Sequence, residues 1–327
     1  MPHQSPTIRH LVRGLVDRAI IFAGLIALTF ILPRLMPGDP FELLFSADAT
    51  RGLDPNEMTL LRRQYGLDGS WLEQFIDYLG ALMRGDLGFS LRHASPVRDL
   101  LLAAAPWTLL LIIGAMPVYL CIGLMAGIEA GQQPHSARDR LITGAMILLS
   151  SIPPFAAAIF LLLAFAVVWP ILPVSGAKPL FPPADPTARV LAIIRHAILP
   201  VVALALHEVA RFFFLARGEA VALSARPFMT NAKARGIAGW RLRLHYYGRN
   251  IVPMTLARMG DSISTLFGAV FFVEVVFSYP GIGNLVYTAM LERDYVLLQG
   301  AMLGMAAVVL ALNWVLDALV GRLVARG

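Results

Sequence analysis

The sequence predicts an all-α polytopic membrane protein with six transmembrane helices and both termini in the cytoplasm. Of its 327 residues, 57% are hydrophobic and only 15% charged, and the mean hydropathy is +0.69. A soluble domain of this length cannot bury so much apolar surface. Six apolar runs reach the roughly 20 residues needed to cross a bilayer. Arginines gather at alternate connections between those runs, the pattern of cytoplasmic loops.

Residues 1–18 form a cytoplasmic N-terminal segment carrying Arg9, Arg13 and Arg18. The first transmembrane helix follows over 19–35, in an apolar run that opens near 17. The run ends in "PRLMPGDP" with no small-x-small cleavage site, so it reads as a retained anchor rather than a signal peptide. Residues 36–105 hold ten acidic and six basic residues and form an external segment. Two short helices are expected in it, making a small external helical cap. "DPNEMTLLRRQYG" opens with Asp54 as N-cap, Pro55 at the first helical position and Glu57 three residues after the cap, and closes at Gly66. "SWLEQFIDYLGALMRG" repeats that grammar with Ser70, Glu73 and Gly85, its Leu72, Phe75, Ile76, Leu79 and Leu82 on one stripe.

Residues 106–327 form the core membrane domain, with crossings expected over 106–128, 141–169, 193–216, 251–278 and 297–323. The connection 217–250 carries Arg217, Arg226, Lys233, Arg235, Arg241, Arg243 and Arg249 against Glu219 alone. Arg138 and Arg140, and at the C-terminus Arg322 and Arg326, fall on the same side. The opposite connections, 170–192 and 279–296, hold few basic residues, so the basic loop is cytoplasmic. The pI near 9.8 follows from these basic cytoplasmic loops, so membrane lipid and not nucleic acid is the expected partner. Cys121, the one cysteine, leaves no partner for a disulfide.

Covalent chemistry has little to work with. The chain lacks a G-x-x-x-x-G-K-[ST] phosphate loop and has only Lys178 and Lys233 as lysines. Neither G-x-S-x-G nor H-E-x-x-H occurs, and no His/Cys pair has metal spacing. We therefore expect no catalytic residue, no metal and no cofactor in this chain; energy for uphill transport must come from a partner or an ion gradient. Ionisable residues within the apolar runs stand out as candidate pathway or interhelical charges. They are His207, Glu208 and Arg211 in "LHEVAR", Arg258 with Asp261, and Glu274 in "FFVEVVFSYPGIG". Facing the bundle or a watery cavity in neutralised pairs is one reading, and substrate contact is the other. Two external stretches are candidate gates or turns: "RGDLGFSL" with Gly85, Asp86 and Gly88, and "SYPGIGN" with Pro280, Gly281 and Gly283.

Within the basic loop, "SARPFMTNAKARG" predicts a short helix with Pro227 early and Gly236 ending it. Small residues Ala225, Ala232 and Ala234 would let another protein approach closely. A loop binding lipid headgroups is the competing reading.

This loop resembles the "EAA" coupling loop of bacterial ABC-importer permeases of the dipeptide/oligopeptide/nickel class. "FMTNAKARGI" places Ala232, Ala234 and Gly236 in matching positions with Lys233 and Arg235 as the basic pair, and "RNIVP" supplies Arg249 and Asn250. Further stretches resemble the family in order along nearly the whole chain: "MPGDP", "YGLDGSW", "RGDLGFSL", "SIPPF", "LPVSG", "HAILP", "VEVVFSYPGIG" and "ERDYVLLQGA". The match is to the first permease of the pair, with the large loop after helix one. The resemblance implies a type I ABC-importer permease fold in the bacterial inner membrane, forming half of a translocation pathway. It implies a second homologous permease (a heterodimer), two cytoplasmic ATPase subunits that bind ATP and Mg, and an extracytoplasmic solute-binding protein. Residues 225–239 would be the coupling helix, with Phe228, Ala232, Lys233, Ala234, Arg235, Gly236, Arg249 and Asn250 at the ATPase. Departures bear on cargo: His245 stands one place before the family's usual histidine position, taken here by Tyr246. Phe228 replaces a tyrosine, Thr230 an arginine, and Arg258 and Asp261 replace apolar or small residues. The usual "DPR" ending is missing. Peptides are the expected cargo; nickel or metal–chelator complexes, opines and glutathione-like molecules are alternatives, and a gradient-driven secondary transporter is the alternative from another class.

Overall fold

The structure, a computed structural model, describes residues 19–31, 54, 70–90 and 92–324, with side chains as far as 316. Apart from Asp54, the expected first cap helix lies outside the described residues, as do the segment 1–18, "MPGDP" and the last three residues. Among the described residues the fold is helical except for one hairpin of two-residue strands. The elements are α1 (Ala19–Ile31), α2 (Trp71–Met83), β1 (Phe89–Ser90), β2 (Ser95–Pro96), α3 (Val97–Gln132) and α4 (Ala137–Ser150). Then come α5 (Pro154–Leu162) with a π-helical extension Leu163–Val168, α6 (Pro186–Ser224) and α7 (Pro227–Ala234). A single turn α8 (Gly239–Arg241) leads through a π-helical stretch Leu242–Gly248 into α9 (Arg249–Val276), followed by α10 (Ile282–Leu291) and α11 (Tyr295–Val324).

Among the described residues, four helical segments are long and apolar enough to cross a membrane: Val97–Gln132, Pro186–Ser224, Gly239–Val276 and Tyr295–Leu316. The third expected crossing, 141–169, is not one straight helix. It divides into α4 and α5, bent by 96°. The reason is local: "SIPPF" places Pro153 as N-cap and Pro154 at the start of α5, and a proline has no N–H to continue the ladder of the preceding helix. The first crossing is described over Ala19–Ile31 only, a shorter apolar helix. Helix ends also run beyond the apolar cores. α6 begins at Pro186 rather than 193, because Asp185 accepts the Ala188 N–H at 2.9 Å as its N-cap.

The chain divides into two compact units. The first comprises residues up to Ala105 together with Leu285–Leu310. In it Phe30 of α1 packs edge-on to Phe75 of α2 at 5.0 Å between ring centroids. α2 starts on a capping box: Ser70 accepts the Glu73 N–H, and Glu73 accepts the Ser70 N–H at 2.8 Å. It ends in a Schellman turn, with Gly85 N–H to Leu82 and Asp86 N–H to Ala81. Asp294 caps α11 through the Leu297 N–H and also accepts from Ser90 of β1.

The second unit comprises Pro106–Asn284 and Ala311–Gly327. Its centre is the pairing of α3 with α6. Gly123, Gly127 and Gly131 recur every fourth residue on α3, and a Cβ on Gly127 would sit 2.6 Å from the Phe213 carbonyl oxygen of α6. Backbone meets backbone along this seam, the way small-xxx-small helices associate in membranes. α9 meets α6 where Ser262 bonds Glu208, and Ile263, Leu266 and Phe267 of α9 are buried.

Candidate coupling surface and membrane-depth charges

α7 forms as "SARPFMTNAKARG" predicts. Arg226 is the N-cap, Pro227 takes the first helical position and Gly236 follows the C-cap residue Arg235. Gly236 has φ +75°; its N–H bonds to Lys233 O at 3.0 Å and the Ile237 N–H to Ala232 O at 3.1 Å. That is a Schellman termination, and it requires the left-handed conformation glycine adopts without cost. A Cβ here would meet nothing within 4 Å. The demand for glycine is therefore conformational, not steric.

α7 is two-faced. Met229 and Ala232 are buried in a cluster with Ile128 of α3, Ala216 and Ala220 of α6, Leu242 and Tyr247 of the π-helical stretch, and Ile251 of α9; Ile237 packs against it. Ala232 thus serves the chain's own core, correcting the expectation that it faces a partner. Phe228, Lys233, Ala234, Arg235 and Gly236 are exposed, as are Arg249 and Asn250. Phe228, an apolar ring 43% exposed, protrudes among the cations. The Asn250 amide is turned back on Tyr246 O at 2.6 Å, so it caps its own helix turn. Tyr247 is fully buried and bonds Ser224 at the end of α6 at 2.7 Å. These contacts fix α7 to α3, α6 and α9 as one piece.

Other arginines of the same end are already engaged. Arg217 grips Asp139 with two bonds of 2.6 and 2.7 Å, the planar fork of a bidentate pair. Arg243 bonds Glu129 at 2.7 Å and lies 5.8 Å from the Trp240 ring centroid, and Arg138 pairs with the same glutamate. Spacing along the sequence gave no sign of the Arg217 and Arg243 ties, because their partners lie 78 and 114 residues away. Lys233, Arg235, Arg241 and Arg249 have no ion pair among the described residues. The structure so sorts the basic loop into cations that hold the fold and cations left on the surface.

The charges within the helices fall into two groups. Glu208 is fully buried, accepts from Ser262 at 2.7 Å, and sits 3.7 Å from Arg211. Ser262 also contacts the Tyr119 hydroxyl at 3.1 Å, so the group ties α3, α6 and α9 together. Arg211 reaches Asp261 at 3.8 Å, and Arg258 reaches it at 3.7 Å. His207, next to Glu208, borders an apolar pocket lined by Leu149, Pro154, Ala157 and Leu161, and its buried Nδ1 has no hydrogen-bond partner among the described residues.

Glu274 is fully buried and enclosed by its own downstream turn. Thr108 of α3 donates to it at 2.6 Å and the Asn284 N–H at 3.1 Å, while the Ile282 N–H bonds Thr108 at 2.8 Å. A carboxylate at the first turn of α10 complements its unpaired N–H groups. Gly281 has no room for a side chain beside this carboxylate, and a Cβ on Gly283 would fall 2.7 Å from Phe271 Cα. Pro280 is exposed at the bend. Glu274 thus ties α9 to α3 and to the first turn of α10, and "PGIG" is a turn moulded on it. "RGDLGFSL" is likewise a turn: Asp86 accepts the Gly88 N–H at 2.9 Å, and Gly88 has φ +88°.

Residues 120–326 match the family described as binding-protein-dependent transport system inner membrane component. The chain belongs to this family. It is an all-α, multi-pass protein of the bacterial inner membrane and an ABC-importer permease, as the loop resemblance anticipated. Relatives include a di/tripeptide transport system permease protein of Pseudomonas aeruginosa, 30% identical over 92% of this chain and 93% of its own length. A dipeptide transport system permease protein of Escherichia coli K12 is 26% identical over 92% and 93%. A putative peptide transport system permease of Brucella abortus is 28% identical over 89% and 90%. These place the chain in the dipeptide/oligopeptide class of ABC-importer permeases.

Proposed function

We propose that the chain forms half of the translocation pathway of an ATP-driven importer of short peptides, and that α7 is its coupling helix. The observation that carries this is the two-faced α7: its inner face is locked into α3, α6 and α9 while Phe228, Lys233 and Arg235 point outward. A push on that outer face is transmitted to the membrane helices without loss in a flexible loop. Phe228 would seat in a groove of a cytoplasmic ATPase subunit, with Lys233, Arg235, Arg241 and Arg249 meeting its acidic rim. ATP and Mg would bind on that partner, and closure of two ATPases would swing this chain and a second, different permease between inward- and outward-open states. An external solute-binding protein would deliver the cargo. Peptide cargo is supported by the names of the relatives.

The experiment is to place cysteine at Phe228 in a Cys121→Ser background, co-express the chain with its sister permease and ATPases, and cross-link with a short bifunctional reagent. A product with an ATPase that changes yield when ATP binds is expected. A residue 228 that cross-links to no ATPase, in a complex that still imports peptide, would refute the coupling role.

A further inference from the structure

The exposed surface of the second unit is of two kinds. On α4 and α5 it is apolar, with Leu148, Phe160 and Val168 each more than 65% exposed. That face suits lipid. On α9 the exposed stripe instead reads Arg258, Asp261, Ser264, Thr265 and Gly268 at helical spacing, within a segment apolar enough to span the membrane. Arg211 of α6 lies over the same stripe and bonds Thr265 at 3.3 Å. Asn313 of α11 completes it with a 3.0 Å bond to Ser264. Charges at this depth do not face hydrocarbon; they face protein or a water-filled cavity.

The contacts are loose. Asp261 is 61% exposed, and the guanidinium groups of Arg211 and Arg258 flank it at 3.8 and 3.7 Å. Charge-assisted bonds between such groups close to about 2.7–2.9 Å when they serve structure, as Arg217 and Asp139 do in the same molecule at 2.6 Å. Among the described residues Arg258 has no other partner. The three exposed groups sum to one positive charge, and Arg211 is shared between exposed Asp261 and buried Glu208, 3.7 Å from it. On the exposed face, Asp261 is the carboxylate that both arginines reach among the described residues.

We propose that this stripe lines the water-filled side of the translocation path and that Arg211 and Arg258 take the terminal carboxylate of a passing peptide. Asp261 holds both arginines in register while the path is empty. The carboxylate assignment rests on the peptide reading above. The stripe's facing and charge preference do not.

The test uses the complete transporter in proteoliposomes, with Ser264→Cys in a Cys121→Ser background. Two membrane-impermeant methanethiosulfonates are compared, one bearing a sulfonate and one a trimethylammonium. The stripe is expected to react, with the sulfonate favoured by roughly tenfold over its ratio with a free thiol. Arg211→Gln with Arg258→Gln should abolish that preference, and Lys at both positions should restore it. A peptide delivered by the binding protein should slow the reaction, and its C-terminal amide should not. Failure of both reagents to react would show the stripe sealed against lipid or the second permease, and would overturn the proposal. So would a charge preference indifferent to the arginines. If selectivity is present but the free-acid peptide gives no more protection than its amide, the carboxylate assignment falls. A transporter that loads no peptide at all removes the cargo reading as well, while the reagent ratios still report which way the stripe faces.

Discussion

At Gly236, a backbone angle and not a close neighbour dictates the residue. With φ +75° and open space around the missing side chain, Gly236→Ala should cost about 1 kcal/mol and Gly236→Asn less, since asparagine tolerates the left-handed region. Coupled ATP hydrolysis in the assembled importer should fall in the order Gly, Asn, Ala; equal turnover in all three would disprove the requirement. Glu274 poses the opposite case, a charge whose surroundings decide everything. Thr108→Val removes the donor to its carboxylate and the acceptor for the Ile282 N–H together. It should destabilise the purified protein by about 1–3 kcal/mol, read as a lowered melting temperature in detergent, whereas Thr108→Ser should be close to native. The spacing of Pro227 and Gly236 made the limits of α7 legible in the sequence. Ala232 was misread because smallness alone does not say which side of a helix faces inward; only Met229 and Ile237 beside it reveal that. The partners of Glu208 and Glu274 were illegible for a different reason: Ser262 and Thr108 lie 54 and 166 residues away.

Between helices, the glycines at every fourth position of α3 set how closely α6 can lie. Gly127→Leu would drive a side chain into the α6 backbone, and overpacking of this kind costs about 1–3 kcal/mol or more. The expected result is loss of folded protein on extraction, while a change to leucine at Gly144, where a Cβ meets nothing within 4 Å, should be tolerated. The Asp139–Arg217 pair clamps the start of α4 to the C-terminal part of α6. Asp139→Asn strips a largely buried carboxylate from its fork and should cost about 3 kcal/mol, measurable in the same melting assay. Helix identity was readable from apolar runs, since a helix in lipid must satisfy its own backbone. The 96° bend between α4 and α5 was not, although its cause, two adjacent prolines, was written in "SIPPF". Hydropathy averages over a window and passes through a break that a single missing N–H creates.

For the whole molecule, the decisive measurement is which side of the membrane holds α7. A cysteine at Lys233 in a Cys121→Ser background should react with an impermeant maleimide only in inverted vesicles or permeabilised cells; labelling from outside intact cells would overturn the orientation and the coupling role with it. The sequence by itself determined that this is a helical inner-membrane protein, that its basic connector forms a short helix ending at Gly236, and which family it resembles. Those properties follow from composition, local backbone chemistry and motif order, which the chain carries at short range. Which charges brace the fold and which stay open was decided only by tertiary structure. Burial and the approach of distant residues set that outcome: Glu274 closed within its own turn, Arg217 locked to Asp139, and Arg211, Arg258 and Asp261 left loosely facing one another on an exposed stripe.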